Sequence, residues 1–409
     1  MEEKEKEKNP KKKGGLKGLF EEMEAEKKKK KNKKNKNKDA NNNNKTKPDF
    51  SKNFNNINVS SDFKGLKNFG NSCYSNVIIQ ILTSIQEFID VLYKRYSFVE
   101  NEDDLFLDYP VLSRVIEIMT NYKNKNTSLA SNYLKEIVDK FDPSGSQNDA
   151  HEFLVYILDR LNIELLNIED KYKIINNTSD INNIVNNNKD NLKEDQKVSS
   201  NEDEGEWEEV KKGGKTMKQT NSIKNFKTSI LGEVFQGIIK QDIIQKGNSQ
   251  SNCQIEPFFT LHLDNEENSI ENMFDKFFQK KFIVDSGDKY MQSFLEKCPN
   301  IFIVNAKGFF YDKKNQMIVK IKKELIFGEK LILKKEYVSP YLRNKNIEYE
   351  LIGIVVHKGS LATEGHYICY CKNNKDKSWF YLDDNKVIKV SGELLHKLRP
   401  YILFYKKLE

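Results

Sequence analysis

The chain has 409 residues, of which 37% are hydrophobic and 32% charged, with a net charge of +7. That is enough for one large domain or two small ones, and too polar for all of it to be packed core. Five cysteines without a CxxC pair exclude a disulfide framework and point to a reducing compartment, while the lack of an apolar N-terminal region, or of any apolar run near about 18 residues, argues against a secretory signal and a membrane partner.

Residues 1–61 are dominated by Lys, Glu and Asn and are expected to form a disordered tail. Its lysine run, "EKKKKKNKKNKNK", carries much of the positive charge but contains no aromatic residue. Such blocks are usually solvated, so a nucleic-acid partner is not expected. The expected setting is cytoplasmic or nuclear. A single domain is expected over 62–409. It begins with "GLKNFGNSCYSNVIIQIL", Gly65 to Leu82, where a Gly/Asn-rich turn leads into Val77, Ile78, Ile81, Leu82, Ile85, Phe88, Ile89 and Leu92 at helical spacing. Cys73 therefore stands at a helix N-terminus. Further helical patterns fit "YPVLSRVIEIMTNY", "SNYLKEIVDKF" and "SQNDAHEFLVYILDRLNIELL", the last with Ser146 and Asp149 spaced like a capping box. A low-complexity stretch at about 176–225 reads as a loop-like insertion. After Ile230 come short β-branched and aromatic runs, among them "PFFTLHL", "IFIVNAKGFFY", "YELIGIVVH", "HYICYCK", "WFYLD" and "YILFY". They predict an antiparallel sheet, and the whole an α+β fold.

A thiol at a helix N-terminus is favoured as thiolate, the nucleophilic form, by the backbone dipoles. It needs a base to act. His366 opens "HYICYC" directly after the glycine-containing loop "KGSLATEG", and Asp383 and Asp384 follow about one hairpin later. An aspartate there can accept from the second ring nitrogen and orient the imidazole. Each residue alone also fits a turn or a strand position. Cys369 and Cys371, two apart on a predicted strand, read as core.

Three segments in this order resemble one family. "GLKNFGNSCYSNVIIQIL", "GSQNDAHEFLVYILDRL" and "GIVVHKGSLATEGHYICYC…WFYLDDNKVIKV…YILFY" are similar to the conserved boxes of the ubiquitin-specific proteases (USPs), cysteine deubiquitinases. Softer text, "EWEEV", "ILGEVFQGIIKQDII" and "IEPFFTLHLD", looks most like the ubiquitin carboxyl-terminal hydrolase 10 type. The resemblance implies a papain-like fold with a helical thumb and an antiparallel-sheet palm and fingers. It implies Cys73 as nucleophile, His366 as general base and acid, Asp383 as the orienting residue with Asp384 as an auxiliary or alternative, and Asn68 as the oxyanion donor. The implied reaction is thiol-dependent hydrolysis after the C-terminal glycine of ubiquitin, with ubiquitin and ubiquitinated proteins as partners. Asp149 and Glu152 are the expected contacts to ubiquitin's basic tail. Many relatives bind zinc through two CxxC pairs in the fingers. Here that region offers only Cys253 and Cys298, so no metal and no cofactor are expected. Gly308 replaces a usual arginine and Glu364 a common glycine. The alternative on the same fold is a catalytically silent ubiquitin-binding scaffold.

Overall fold

Helices come first in the computed structural model, which describes residues 63–99, 105–187, 227–245, 251–264, 267–283, 289–312, 316–321, 324–359 and 365–409. The expected tail at 1–61, most of the expected insertion and Glu364 lie outside the described residues. The helices are α1 (Cys73–Leu82), α2 (Gln86–Tyr96), α3 (Leu105–Asp108), α4 (Pro110–Lys123), α5 (Thr127–Phe141), α6 (Ala150–Asn187), α7 (Ile230–Phe235) and α8 (Ile270–Phe278). Every residue of α1 is buried. It is the central helix, packed between the sheet on one side and α6 on the other. Behind it Tyr74 and Phe141 meet Phe153 edge-on, with centroids 5.5 and 5.4 Å away, a geometry that suits the ring quadrupoles.

Two helical expectations need correction. The periodic run after Cys73 is two helices, because Thr83 and Ser84 turn their hydroxyls back onto the carbonyls of Ile79 and Ile81 and Ile85 is extended. Such back-bonding competes with the helical ladder. The long helix starts at Ala150, not near Ser146. Asp149 Oδ1 accepts from the backbone N–H groups of His151 and Glu152 at 2.6 and 3.4 Å, so Asp149 is the cap, while the Ser146 N–H is drawn to Asp142 Oδ2 at 3.1 Å. The helix then runs through Asn187, into the stretch read as a loop.

The strands are β1 (Gly237–Gln245), β2 (Ser251–Phe258), β3 (Thr260–Leu263), β4 (Lys281–Phe282), β5 (Lys289–Lys297), β6 (Ile301–Ala306), β7 (Phe309–Asp312), β8 (Met317–Lys320), β9 (Lys330–Ile332), β10 (Glu348–Lys358), β11 (His366–Lys372), β12 (Trp379–Asp383), β13 (Lys386–Val390) and β14 (Ile402–Lys407). The main sheet has the order β13-β12-β11-β10-β14-β6-β3, with β9 added beside β10. It is antiparallel except that β3 runs parallel to β6. Strands β2-β1-β5-β4 and the β7–β8 hairpin form separate sheets. Helix α8, which the strand-rich reading passed over, buries Ile270, Met273, Phe274 and Phe278, the i, i+3, i+4 stripe of an amphipathic helix. Ser269 caps it by accepting from the Asn272 N–H at 3.1 Å. Among the described residues no helix is long and apolar enough to cross a membrane.

Candidate active site

The site forms where the N-terminus of α1 meets one end of the main sheet. Cys73 is the first residue of α1 and 3% exposed. The segment leading to it is fixed by Asn68, whose Oδ1 accepts from the N–H and the hydroxyl of Ser72 at 3.1 and 3.2 Å. The amide nitrogen of Asn68 donates to Asp384 Oδ2 at 2.9 Å. A donor on one side and a carboxylate on the other leave only one orientation for this amide.

Strand register explains the partner of His366. Cys369 lies opposite Leu382 and Tyr370 opposite Tyr381, so His366 at the start of β11 and Asp383 at the end of β12 reach the same end of the sheet. Alternation puts His366, Tyr370, Tyr381 and Asp383 on one face. His366 Nε2 is 2.6 Å from Asp383 Oδ1 but 3.9 Å from Asp384 Oδ2. Asp384, which begins the turn after β12 at φ 51°, turns toward α1. Its carboxylate accepts from Asn68 and, at 2.8 Å, from Asn76. Its carbonyl accepts from the Leu66 N–H at 2.9 Å and Gln80 Nε2 at 3.1 Å. The two segments touch so closely that a Cβ on Gly65 would lie 2.2 Å from the Asn385 carbonyl oxygen. Asp384 is thus a brace between the cysteine segment and the β12–β13 turn.

With Nε2 turned to Asp383, the other ring nitrogen is left for Cys73. Hydrogen bonding to the Cys73 side chain is the largest influence on the imidazole, and with the help of Asp383 and Asp384 it outweighs burial, raising the pKa from 6.5 to about 9. Burial pushes the Asp383 carboxyl up, but hydrogen bonds from Tyr381 and His366 prevail and hold it below its ordinary value. Tyr381 donates to Asp383 Oδ2 at 2.5 Å and accepts from Lys358 Nζ at 3.1 Å. A relay of Lys358, Tyr381, Asp383 and His366 results. The sequence reading missed Tyr381, although its place two residues before Asp383 on a strand is the signal that would find it. His366, Asp383 and Asp384 are also the group of ligand-type side chains gathered within 4.8 Å among the described residues, and the hydrogen bonds above account for their closeness.

The remaining candidates are placed as follows. Asn71, within the Gly/Asn-rich turn before Cys73, donates to the Gly145 carbonyl at 3.1 Å. Asp149 has both oxygens engaged, Oδ1 by the α6 backbone and Oδ2 by the Tyr401 hydroxyl. Glu152 is exposed one turn later. Cys369 and Cys371 are fully buried, and the Cys369 thiol lies 3.7 Å from Gln80 Oε1. Cys253 is exposed on β2, opposite Asp242 of β1. Gly308 is buried near the Tyr401 ring.

Residues 64–405 match the family model described as ubiquitin carboxyl-terminal hydrolase. The chain is 24% identical over 381 residues to ubiquitin carboxyl-terminal hydrolase 24 of Arabidopsis thaliana, covering 84% of this chain and 64% of that protein. It is 26% identical over 403 residues to ubiquitin carboxyl-terminal hydrolase 10 of Rattus norvegicus, covering 86% and 49%. It therefore spans about half to just under two thirds of the length of these relatives. Among solved structures, the SAGA Ubp8/Sgf11/Sus1/Sgf73 DUB module bound to ubiquitin aldehyde superposes with a TM-score of 0.64 at 24% identity, over 87% of this chain and 71% of that one. This likeness shows the fold, an α+β architecture of the USP type. On the extent of the family match, the chain belongs to the ubiquitin carboxyl-terminal hydrolase family.

Proposed function

We propose that the protein is a cysteine deubiquitinase that hydrolyses the bond after the C-terminal glycine of ubiquitin. The observation that carries this reading is an imidazole 2.6 Å from Asp383 that is influenced most by the side chain of Cys73, which stands at a helix N-terminus. The Cys73 sulfur attacks the glycine carbonyl as its proton passes to His366. One hydrogen on Asn68 Nδ2 is held by Asp384, and the second is free to donate to the developing oxyanion, where such preorganised donors are worth about 3–4 kcal/mol of barrier. His366 then gives its proton to the departing amine as the C–N bond breaks, leaving a thioester. Water, deprotonated by His366, attacks the thioester and regenerates the thiol.

Burial of Cys73 supports a substrate that ends in residues without side chains, as the Gly-Gly end of ubiquitin does. Glu152, exposed at the start of α6, is suited to a basic tail, and Asp149 adds charge from its capping position. Five free cysteines suit the reducing cytoplasm or nucleus. The test is labelling with ubiquitin carrying a C-terminal electrophile. We expect a covalent adduct in the unmodified protein, its loss in Cys73→Ala, and no effect of a metal chelator. Ubiquitin binding without any adduct would replace the enzyme by a silent scaffold.

A further inference from the structure

We infer that Gln147 is the positioning residue for His366, gripping the backbone at Gly365 so that the imidazole stays seated between Cys73 and Asp383. This rests on the deubiquitinase reading and adds to it a residue that never touches the reacting atoms. Gln147 Nε2 donates to the Gly365 carbonyl at 2.5 Å, and the Gly365 N–H donates back to Gln147 Oε1 at 3.3 Å. A single hydrogen bond is a pivot, whereas two from one planar amide fix both the place and the tilt of the residue they hold. The amide cannot flip, since that would set N–H against N–H and oxygen against oxygen.

On its other side Gly365 has no room to retreat. A Cβ there would lie 2.2 Å from His357 Nε2 and 2.5 Å from the Lys358 carbonyl oxygen. That wall is itself fixed, because Lys320 Nζ donates to the carbonyls of His357 and Gly359 at 2.7 Å each. Gly365 is thus pressed between β10 and Gln147, one residue before the base.

The anchor of Gln147 lies on the nucleophile's side of the site. Its loop is shaped by Asp142, which accepts from Ser144, Ser146 and Asn148. The same loop is tied to the cysteine segment through Asn71 and Gly145. One loop therefore holds both Asn71, two residues before Cys73, and Gly365, one before His366, and Gln147 sets the distance between the two segments.

The experiment compares Gln147→Ala and Gln147→Glu with the unmodified full chain. Gln147→Glu keeps an acceptor for the Gly365 N–H but sets a carboxylate against the Gly365 carbonyl. Three quantities are read: the limiting rate of adduct formation with electrophilic ubiquitin, the concentration for half-maximal rate, and the NMR titration of His366. We expect the limiting rate to fall about ten- to a hundredfold, the scale of a 1 Å misplacement. The half-maximal concentration should stay within about twofold, as expected for an interaction that does not bind substrate. The His366 titration should move downward as its contact with Cys73 loosens. Limiting rates equal to that of the unmodified protein would overturn the proposal, as would a change confined to the half-maximal concentration, which would make Gln147 a ubiquitin contact. Should Gln147→Ala melt below the assay temperature, Gln147→Glu decides alone. Should the unmodified protein form no adduct, the deubiquitinase reading falls, and an unshifted His366 titration in the variants would still overturn the positioning role separately.

Discussion

His366 concentrates the electrostatics of the site in one partly exposed ring. Its pKa of about 9 owes more to Cys73 than to either aspartate, and removing the sulfur tests that ordering. In Cys73→Ala we expect the imidazole, followed by NMR, to titrate well below 9 and closer to 6.5. A titration still near 9 would transfer the effect to Asp383 and Asp384. Because the folded value lies above the ordinary one, the folded protein holds this proton more tightly than the unfolded chain. The stabilisation is full below about 6.5 and is lost as pH rises through about 9. Denaturant melts across that window should therefore fall more steeply for the unmodified protein than for His366→Ala. At this scale the sequence was informative about residue types and poor about choice. Cys73, His366 and the aspartate pair stood out, but Asp383 and Asp384 were separable only through the family likeness. The structure distinguishes them physically: Asp383 ends β12 on the face of His366, whereas Asp384 begins the turn at φ 51°, so one meets the imidazole and the other braces Asn68 and Asn76. Gln147 lay inside a recognised segment, yet its partner is Gly365, 218 positions away, and nothing local announces such a contact.

Elements were legible where their own periodicity defined them. Helices α4 and α5 and most of the strands follow from apolar spacing, and α8 carried a readable stripe behind its Ser269 cap. What local pattern missed were ends governed by distant groups. The start of α4 shows why. Pro110 has no N–H to satisfy, and the free donors of Val111 and Leu112 are taken by the Glu164 carboxylate of α6 at 3.1 and 2.7 Å. Burial drives that carboxyl up to about 7, although the two backbone bonds pull the other way. Glu164 is thus a helix cap supplied by a different helix, and no cap residue precedes α4 in the sequence. Replacing it by alanine strands two buried donors. We expect Glu164→Ala to lose about 1–3 kcal/mol in urea unfolding, the usual cost of unsatisfied buried groups. A loss under about 0.5 kcal/mol, the range of ordinary surface substitutions, would mean that water or a shifted chain takes over the cap.

At the scale of the whole molecule, the order of helices and then strands was visible, and the pairing of the strands was not. Strand β14 sits between β10 and β6, neighbours about fifty and a hundred positions earlier in the chain, and pairing over such separations leaves no trace in a hydrophobic pattern. Ending the chain after Pro400 removes this central strand. We expect the shortened protein to lose its soluble folded fraction along with adduct formation. A soluble variant that still labels at Cys73 would show that the two halves of the sheet hold without it. The position of β14 also bears on how the protein is made. Cys73 leaves the ribosome early, His366 and Asp383 much later, and Ile402–Lys407 is the last of the described strands to emerge. Until it inserts, β10, on which the strands bearing His366 and Asp383 are built, has an open edge, and Cys73 has no fixed partner. Emergence of Ile402–Lys407 then becomes the step that fixes His366 and Asp383 opposite Cys73, and a chain interrupted before it is left with the candidate site unassembled.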